Sequence, residues 1–577
     1  MMTIAITPYS QLKKDTILIG VNCITEKNAQ QIVEKGLQII NPYQSHDGIS
    51  KAAKYCWNVS LDCCNYLGKL LNQIHGVCYS QSYWKVLLLP WITAFVENLY
   101  DRYLRLCLVR ENFPKAVVEI PQIERFSPLY KKSSDVCGQA HFHSTNIKIY
   151  FLLIKLMELD FHVKYLDANL VETIQPYTSS ILKQIVKKIF RVGSICRPDN
   201  SLLWNLDKTG LTALDLAQRP GFFKWRIPYL KDDGFSKQAI DRRKITFESA
   251  ENEFEDILHE FVRWAIPVAF FEEYRDRCDT ARMLLRRKGV VTQNISSTYL
   301  SNDTIKFLLA EIRENGGKIK GHQHGGGYGQ YTVAVIEKAE REIFDYFITW
   351  GWKDKDSCPT ISLPDPRLST LANTHRKKSS DILFIGNSGP MYMFRYQTYL
   401  IPEYVYFKYY PMKAIFFQNL KEFVKKRVLY RPYIYDYGWR EEERIKQMLP
   451  CVNFNNTGTA VSIMKTCSLV VIDHPSTSFL EAFVINVPTI LFWDNEQNPM
   501  REEAKPFFQL LVDAGILYYN PMDAAKKVNE ISENPEIWWN SKYVQSAIQK
   551  FCRRFAWTSI DWRKMWVSTI KDLNSIN

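Results

Sequence analysis

Short apolar runs alternate with amphipathic stretches along most of the chain, and that alternation predicts strands and helices in turn. Thr16-Ile-Leu-Ile-Gly20 and Val117-Val-Glu-Ile120 read as buried strands. Between them, residues from about 51 to 110 carry apolar side chains at three- and four-residue spacing and read mostly as helix. Helical periodicity returns over 145–192 and over about 249–286, where Pro267 predicts a bend. Residues 193–245 are rich in Pro, Gly and Trp and read as an insertion or as loops near an active site. Asp303–Asn315 reads as a helix, Lys318 onward as a short strand, and Phe344–Gly351 as the next strand. Residues 353–380 hold prolines, serines and lysines with no apolar period and read as a linker.

Beyond it the pattern restarts. Asp381-Ile-Leu-Phe-Ile-Gly-Asn-Ser-Gly389 is a strand with a glycine turn, followed by a helix over about 414–426 and a strand from Arg427. Ser468-Leu-Val-Val-Ile472 is a β-branched run of the kind that forms a buried parallel strand. A polar turn, a short apolar helix stopped at Asn486-Val-Pro488, and the run Thr489–Trp493 complete a βαβ unit. Strand–helix–strand alternation in both halves predicts an α/β protein of two domains with parallel sheets, each binding ligands at strand C-termini. The expected division is an N-terminal domain over 1–352 with large helical insertions, the linker, a C-terminal domain over 381–545, and a helical tail over 546–577. That tail region carries Trp557, Trp562 and Trp566, just after Trp538 and Trp539, and is expected to pack back on the first domain.

Composition narrows the partners. The 577 residues are 46% hydrophobic and 14% aromatic, which places the chain among folded proteins rather than disordered ones. The net charge of +13 suits a nucleotide, an acidic glycan or an anionic membrane surface. No arginine-rich arm, zinc-finger spacing or RNA-recognition signature is present, so nucleic acid is not expected as a partner. Thirteen scattered cysteines without a CxxC pair suit reduced thiols in the cytoplasm. The N-terminus does not read as a signal peptide, and no apolar run has the ~18 residues of a spanning helix. A cytoplasmic protein follows, with peripheral contact at the inner membrane face as a further expectation. The basic face of Ile181–Phe190 is a solvated surface or a membrane contact.

Candidate chemistry gathers in two stretches. In the first, Ser476, Thr477 and Ser478 stand at the predicted mouth of a helix, after Asp473 and His474. A helix N-terminus offers unpaired N–H groups and partial positive charge, which suits a phosphate. Glu481, just inside, could accept bonds from a ribose diol, or be only a favourable first-turn charge. The second stretch is Gly321-His-Gln-His-Gly-Gly-Gly-Tyr-Gly329. Gly325, Gly326 and Gly327 would let backbone N–H groups approach a ligand, and His322 or His324 could act as a general base or donate to a phosphate. The spacing fits neither a Walker A loop nor a dinucleotide-binding fingerprint. Arg431, near a strand end, could hold a phosphate or carboxylate, or pair with Glu441–Glu443. His75 and Ser80 sit near a turn and could line a cleft on the acceptor side. His141 and His143 flank Phe142 and would share one strand face, but no third metal ligand is near. No cofactor or metal is expected.

Taken together, Asn72, His75, Ser80, Tyr83-Trp84, Pro90-Trp91 and Asp101-Arg102, the 322–329 loop, Trp350-Gly-Trp352, Tyr437-Gly-Trp439, Ser476–Glu481, Pro488 and Phe492-Trp493 resemble a bacterial transferase family. It is the LIC-type family associated with surface-carbohydrate, O-antigen-type biosynthesis. More distantly, the His-Gly loop followed by a hydroxyl-rich turn is similar to GT-B transferases of the capsule and teichoic-acid type, which use cytidine-activated donors. The resemblance implies a GT-B-like pair of Rossmann-like domains facing each other across a cleft. It makes His322 or His324 the base, the Ser476–Ser478 turn the donor-phosphate site, and Arg431 and His474 its charge partners.

The resulting expectation is a metal-independent glycosyltransferase. It would move a sugar, with CMP-linked ulosonic acid the favoured donor, to a polysaccharide or glycoconjugate acceptor. Two rivals stand beside it. A sugar-nucleotide epimerase or hydrolase would need carboxylates in the cleft, where only Glu481 is evident. A non-catalytic polyanion-binding protein would show salt-sensitive binding without nucleotide preference.

Overall fold

The computed structural model describes residues 2–8, 10, 12–121, 128–159, 162–166, 194–197, 201–204, 223–226, 232–247, 250–288, 293–296, 302–354, 358–372, 374, 376, 379–398 and 401–575. The amphipathic stretch Ile181–Phe190 lies outside them.

The fold is α/β, with three sheets. The first comprises β1 (Thr3–Ala5), β2 (Thr16–Leu18), β3 (Gln38–Ile39), β4 (Val117–Pro121) and β5 (His162–Leu166) in the order β3-β2-β1-β4-β5, all parallel. The second comprises β6 (Ser194–Arg197), β7 (Ser201–Trp204), β8 (Phe223–Arg226), β9 (Gln293–Ser296), β10 (Lys318–His322), β11 (Tyr346–Thr349) and β12 (Thr360–Ser362). Its order is β12-β11-β10-β9-β7-β6-β8, antiparallel only where β6 meets β7 and β8. The third comprises β13 (Ile382–Ile385), β14 (Val428–Arg431), β15 (Asn453–Phe454), β16 (Leu469–Ile472), β17 (Thr489–Phe492) and β18 (Leu517–Tyr518). It is parallel throughout, in the order β15-β14-β13-β16-β17-β18.

Period-two alternation explains why the third sheet is buried on both sides. Leu383, Ile385, Val470, Ile472 and Leu491 join the large core shared with the N-terminal half. Their alternating neighbours Ile382, Phe384, Leu469, Val471, Ile490 and Phe492 build a second, local core. Successive side chains point to opposite faces of a strand, so a continuous apolar run fills both layers.

The helical region forms two long helices, His46–His75 and Gln81–Asn112. Gly76 ends the first in the left-handed region at φ 64°, and Ser80 caps the second by accepting from the Tyr83 N–H. Pro90 lies inside the second helix without ending it. That helix is buried on nearly every side, and the chain after β13 lies along it. Asn98 Nδ2 donates to the Phe394 carbonyl at 2.7 Å, the Tyr396 N–H donates to Glu97 at 3.1 Å, and Arg105 pairs with Glu403 at 2.8 Å. The two halves are therefore joined by buried polar contacts as well as by a shared core.

Several expectations change. Residues 193–245 contribute strands β6, β7 and β8 rather than loops alone. The helix expected over 249–286 is two, Glu253–Ala265 and Tyr274–Lys288, because Pro267 supplies no N–H and the chain turns through a 3-10 segment. The supposed linker holds β12, paired with β11, and a helix over Pro366–Leu371. The start of the tail belongs to the C-terminal half. Helix Lys542–Phe555 sets Phe551 against Phe479, Phe483 and Phe508. From the end of that helix onward the chain also meets the second sheet, where Arg554 donates to the Lys353 carbonyl at 3.0 Å and the Trp557 N–H to the Trp350 carbonyl at 2.9 Å. Among the described residues no helix is long and apolar enough to cross a membrane.

Candidate functional site

Strands β13, β14 and β16 run side by side and end together, and a cavity of about 550 Å³ opens at their C-terminal ends. Its walls include Ser388, Arg431, Tyr433, Tyr437, His474 and the Ser476–Ser478 turn. The opposite wall is the 390–397 segment that crosses to the N-terminal half, with Tyr392, Met393 and Arg395. This is where a parallel sheet exposes loops and helix N-termini to a ligand.

The β16 side is built on a helix mouth. Ser476 caps helix Thr477–Ile485 by accepting from the Ser478 N–H at 3.4 Å. The N–H groups of the first helical turn have no partner within the helix, and about half a positive charge gathers there.

His474 lines the cavity, and its Nδ1 lies 2.9 Å from Asp473 Oδ1. With Asp473 ionised, Nδ1 carries the proton and Nε2 is left for a ligand. Asp473 is itself fixed from below. The Tyr409 hydroxyl donates to it at 2.8 Å, and Lys413 Nζ stands 3.4 Å from its other oxygen. Lys413 is fully buried and also meets Glu441 and the Tyr430 hydroxyl, each at 2.7 Å. Burial and these carboxylates push the Tyr409 and Tyr430 phenols well above their usual range, so both remain hydrogen-bond donors.

Arg431, the last residue of β14, donates to the carbonyls of Asn455, Thr457 and Gly458 at 2.8–3.1 Å. It forms no ion pair among the described residues, and Glu441 pairs with Lys413 instead. Desolvation lowers its pKa, but a guanidinium stays charged. A positive charge held by neutral carbonyls at a cavity wall suits an anion. Ser388 was not singled out by sequence reasoning. Its hydroxyl is buried without a partner beside the cavity. Tyr433 was missed as well; it is partly exposed and stands 6.2 Å from Tyr437 with near-parallel rings. The only sequence signal for Ser388 was the glycine turn after β13.

The glycine-histidine loop meets the hydroxyl turn directly. The Gly326 N–H donates to Thr477 Oγ1 at 2.8 Å, and the Tyr331 hydroxyl donates to the Pro475 carbonyl. A Cβ on Gly326 would lie 2.9 Å from the Thr477 nitrogen, so this approach requires glycine. Gly327 adopts φ +87°, and Gly325 comes within 3.3 Å of Thr477 Oγ1 on the same test.

The two histidines of that loop differ in their surroundings. His322 is buried edge-on to Trp566, with Nδ1 at the Gln323 carbonyl. Burial pushes its pKa down to about 4, and its Nε2 has no partner. His324 is one-third exposed, with Nδ1 3.1 Å from the Tyr328 hydroxyl, which donates to Glu340 at 2.8 Å. Burial raises the Glu340 carboxyl to about 8. Neither imidazole lines the cavity.

Other expected positions do not join the site. Glu481 is paired with Arg367 of the Pro366–Leu371 helix and is absent from the cavity wall, so it is not presented to a ribose there. His75 stacks on Tyr274 at 4.0 Å, and burial lowers its pKa to about 4. Ser80 caps its helix and donates to Glu314 at 2.6 Å. His143 opens a helix rather than a strand, and its Nδ1 lies 2.7 Å from the Tyr392 hydroxyl, so it shares no strand face with His141. Among the described residues no cluster of three or more His, Cys, Asp or Glu is arranged to hold a metal.

The family model of the LIC12162 family transferases matches residues 2–570. The chain belongs to the LIC12162 transferase family. Among curated proteins nothing matches. Among solved structures, the family member is similar to an O-GlcNAc transferase mutant of Thermobaculum terrenum at 10% identity, covering 91% of this chain and 97% of that one, with a TM-score of 0.33. It is also similar to WaaG, a glycosyltransferase involved in lipopolysaccharide biosynthesis, at 10% identity, covering 53% and 96%, with a TM-score of 0.28. Scores this low say nothing about what the LIC12162 protein binds. Its GT-B-like character rests on its own parallel sheets, set on both sides of the contact between the 322–329 loop and the Ser476–Ser478 turn.

Proposed function

We propose that this transferase moves a sugar from a nucleotide-activated donor to a surface-polysaccharide or glycoconjugate acceptor, without a metal. The observation that carries the reading is the convergence of Arg431, His474 and the Thr477 helix mouth on one cavity at the ends of β13, β14 and β16. As the bond from the anomeric carbon to the phosphate oxygen breaks, negative charge builds on the leaving nucleotide. Arg431, the helix N–H groups and the His474 imidazole offset that charge where it develops. Asp473 orients the His474 ring, and the Lys413–Tyr409 network keeps Asp473 in place. Ser388 offers an unengaged hydroxyl, and Tyr433 and Tyr437 offer ring faces for a base.

His324 is the favoured base for the acceptor hydroxyl, because it is accessible while His322 is enclosed. The Tyr328–Glu340 pair holds its ring. A cytidine donor, with CMP-linked ulosonic acid first, follows from the family resemblance. Cytoplasmic location and peripheral membrane contact belong to the same reading. The test is transfer from radiolabelled nucleotide sugars to cell-envelope glycan fractions, with CMP and CDP donors set against UDP and GDP donors. Incorporation abolished in His474→Ala supports the proposal. Isomerised donor sugar, or no turnover beside salt-sensitive polyanion binding, would favour the rivals.

A further inference from the structure

A second cavity, of about 610 Å³, lies between the β12 edge and the C-terminal end of helix Lys542–Phe555. Lys353, Lys550, Arg553 and Arg554 line it together with Phe507 and Trp557. The four cations come from two separate segments, and none forms an ion pair with a described residue. Arg553 lies over the Trp557 ring at 4.3 Å. Arg554 donates to the Lys353 carbonyl at 3.0 Å, while its Nε is buried without a partner.

The ordinary explanation is that Arg553 and Arg554 offset the helix dipole. A helix end gathers only about half a negative charge. Four positive charges exceed that need, and Lys353 lies outside the helix. Two carboxylates, Asp354 and Glu503, act on Arg554. Asp354 is already held by Arg341 at 2.6 Å. The cavity thus keeps a surplus of positive charge and a desolvated guanidinium N–H. A cluster of this kind loses mutual repulsion when a multiply charged anion enters.

We infer that this cavity is a second anion site, separate from the proposed donor cavity, which takes a phosphate-bearing group. That group is either a soluble phosphate ester or a lipid headgroup.

The test uses the full chain and the double variant Lys550→Glu/Arg553→Glu, both exposed positions, with thermal unfolding to check folding. A milder Arg553→Gln variant covers the case in which charge reversal unfolds the protein. Inorganic pyrophosphate is titrated by calorimetry, and vesicles of phosphatidylglycerol and of phosphatidylcholine are compared by sedimentation. Saturable pyrophosphate binding that weakens at least about tenfold in the variants supports the site with a soluble ligand. Selective binding of phosphatidylglycerol vesicles, lost in the variants, supports it with a lipid headgroup. CMP binding should be unchanged in both variants, so this result is independent of the donor cavity. Absence of binding to either probe, or binding equal in wild type and variants, would overturn the inference.

Discussion

The hydroxyl turn after β16 and the glycine-histidine loop after β10 touch each other, yet they present different chemistry. The turn aims His474, Ser478 and a helix mouth at the cavity, with Arg431 on the neighbouring strand end. The loop contributes backbone contact through Gly326 and turns His322 toward Trp566 in the C-terminal tail. Both stretches look like sites when read as strings. The physical difference is where polar atoms find partners. Arg431 is held by carbonyls that leave its charge uncompensated, whereas His322 is enclosed by an aromatic side chain that disfavours its charged form.

Substitutions can break or sharpen this contrast. The largest effect is expected on the turn side. Arg431→Met should lower kcat/KM for transfer roughly a hundredfold, from loss of a charge-assisted contact to the leaving phosphate. Steady-state kinetics checks this, and an effect below about threefold would move the phosphate elsewhere. Next comes the contact itself. Gly326→Ala forces a Cβ against the Thr477 backbone and should cost about 1–3 kcal/mol in chemical denaturation. Activity should fall with it, because the loop can no longer seat on the turn.

On the loop side His322→Gln should change kcat/KM by less than about threefold while altering acid stability. The sign follows from the folded-state pKa, about 4 against an ordinary 6.5. The buried neutral imidazole contributes stability fully above pH 6.5, and that contribution is lost as pH falls through 4. Wild type should therefore lose on the order of 1–3 kcal/mol across that window, and the variant should lose less. The smallest effect is expected for Ser80→Ala, which removes a helix cap far from the cavity. It should cost about 0.5–2 kcal/mol in stability and leave transfer unchanged.

Much of the sheet scaffold was legible because β11, β13, β14, β16 and β17 are apolar runs closed by Gly, Pro or a capping residue. Strands β1, β12, β15 and β18 have two or three residues each, too few for a period to show. Tertiary pairing makes β12 a strand within a stretch that reads as a linker. At the site, the sequence could locate the helix mouth through Ser476 and the strand end through Arg431. It could not give side-chain direction. Glu481 finds Arg367, 114 residues away in sequence, and Ser388 acquires meaning only because its hydroxyl is left without a partner at the cavity. Tyr409, in the π-helical turn Val405–Tyr409, and Lys413, in the helix Tyr410–Gln418, fix Asp473 and carry no local mark of that role in the sequence.

Hydrogen–deuterium exchange with and without CMP tests the central assignment most directly. A phosphate seated at the helix mouth would slow exchange of the amides over 386–389 and 476–480, and Arg431→Met would abolish that protection. Protection confined to 318–329, or none at either place with nucleotide bound, would contradict the account.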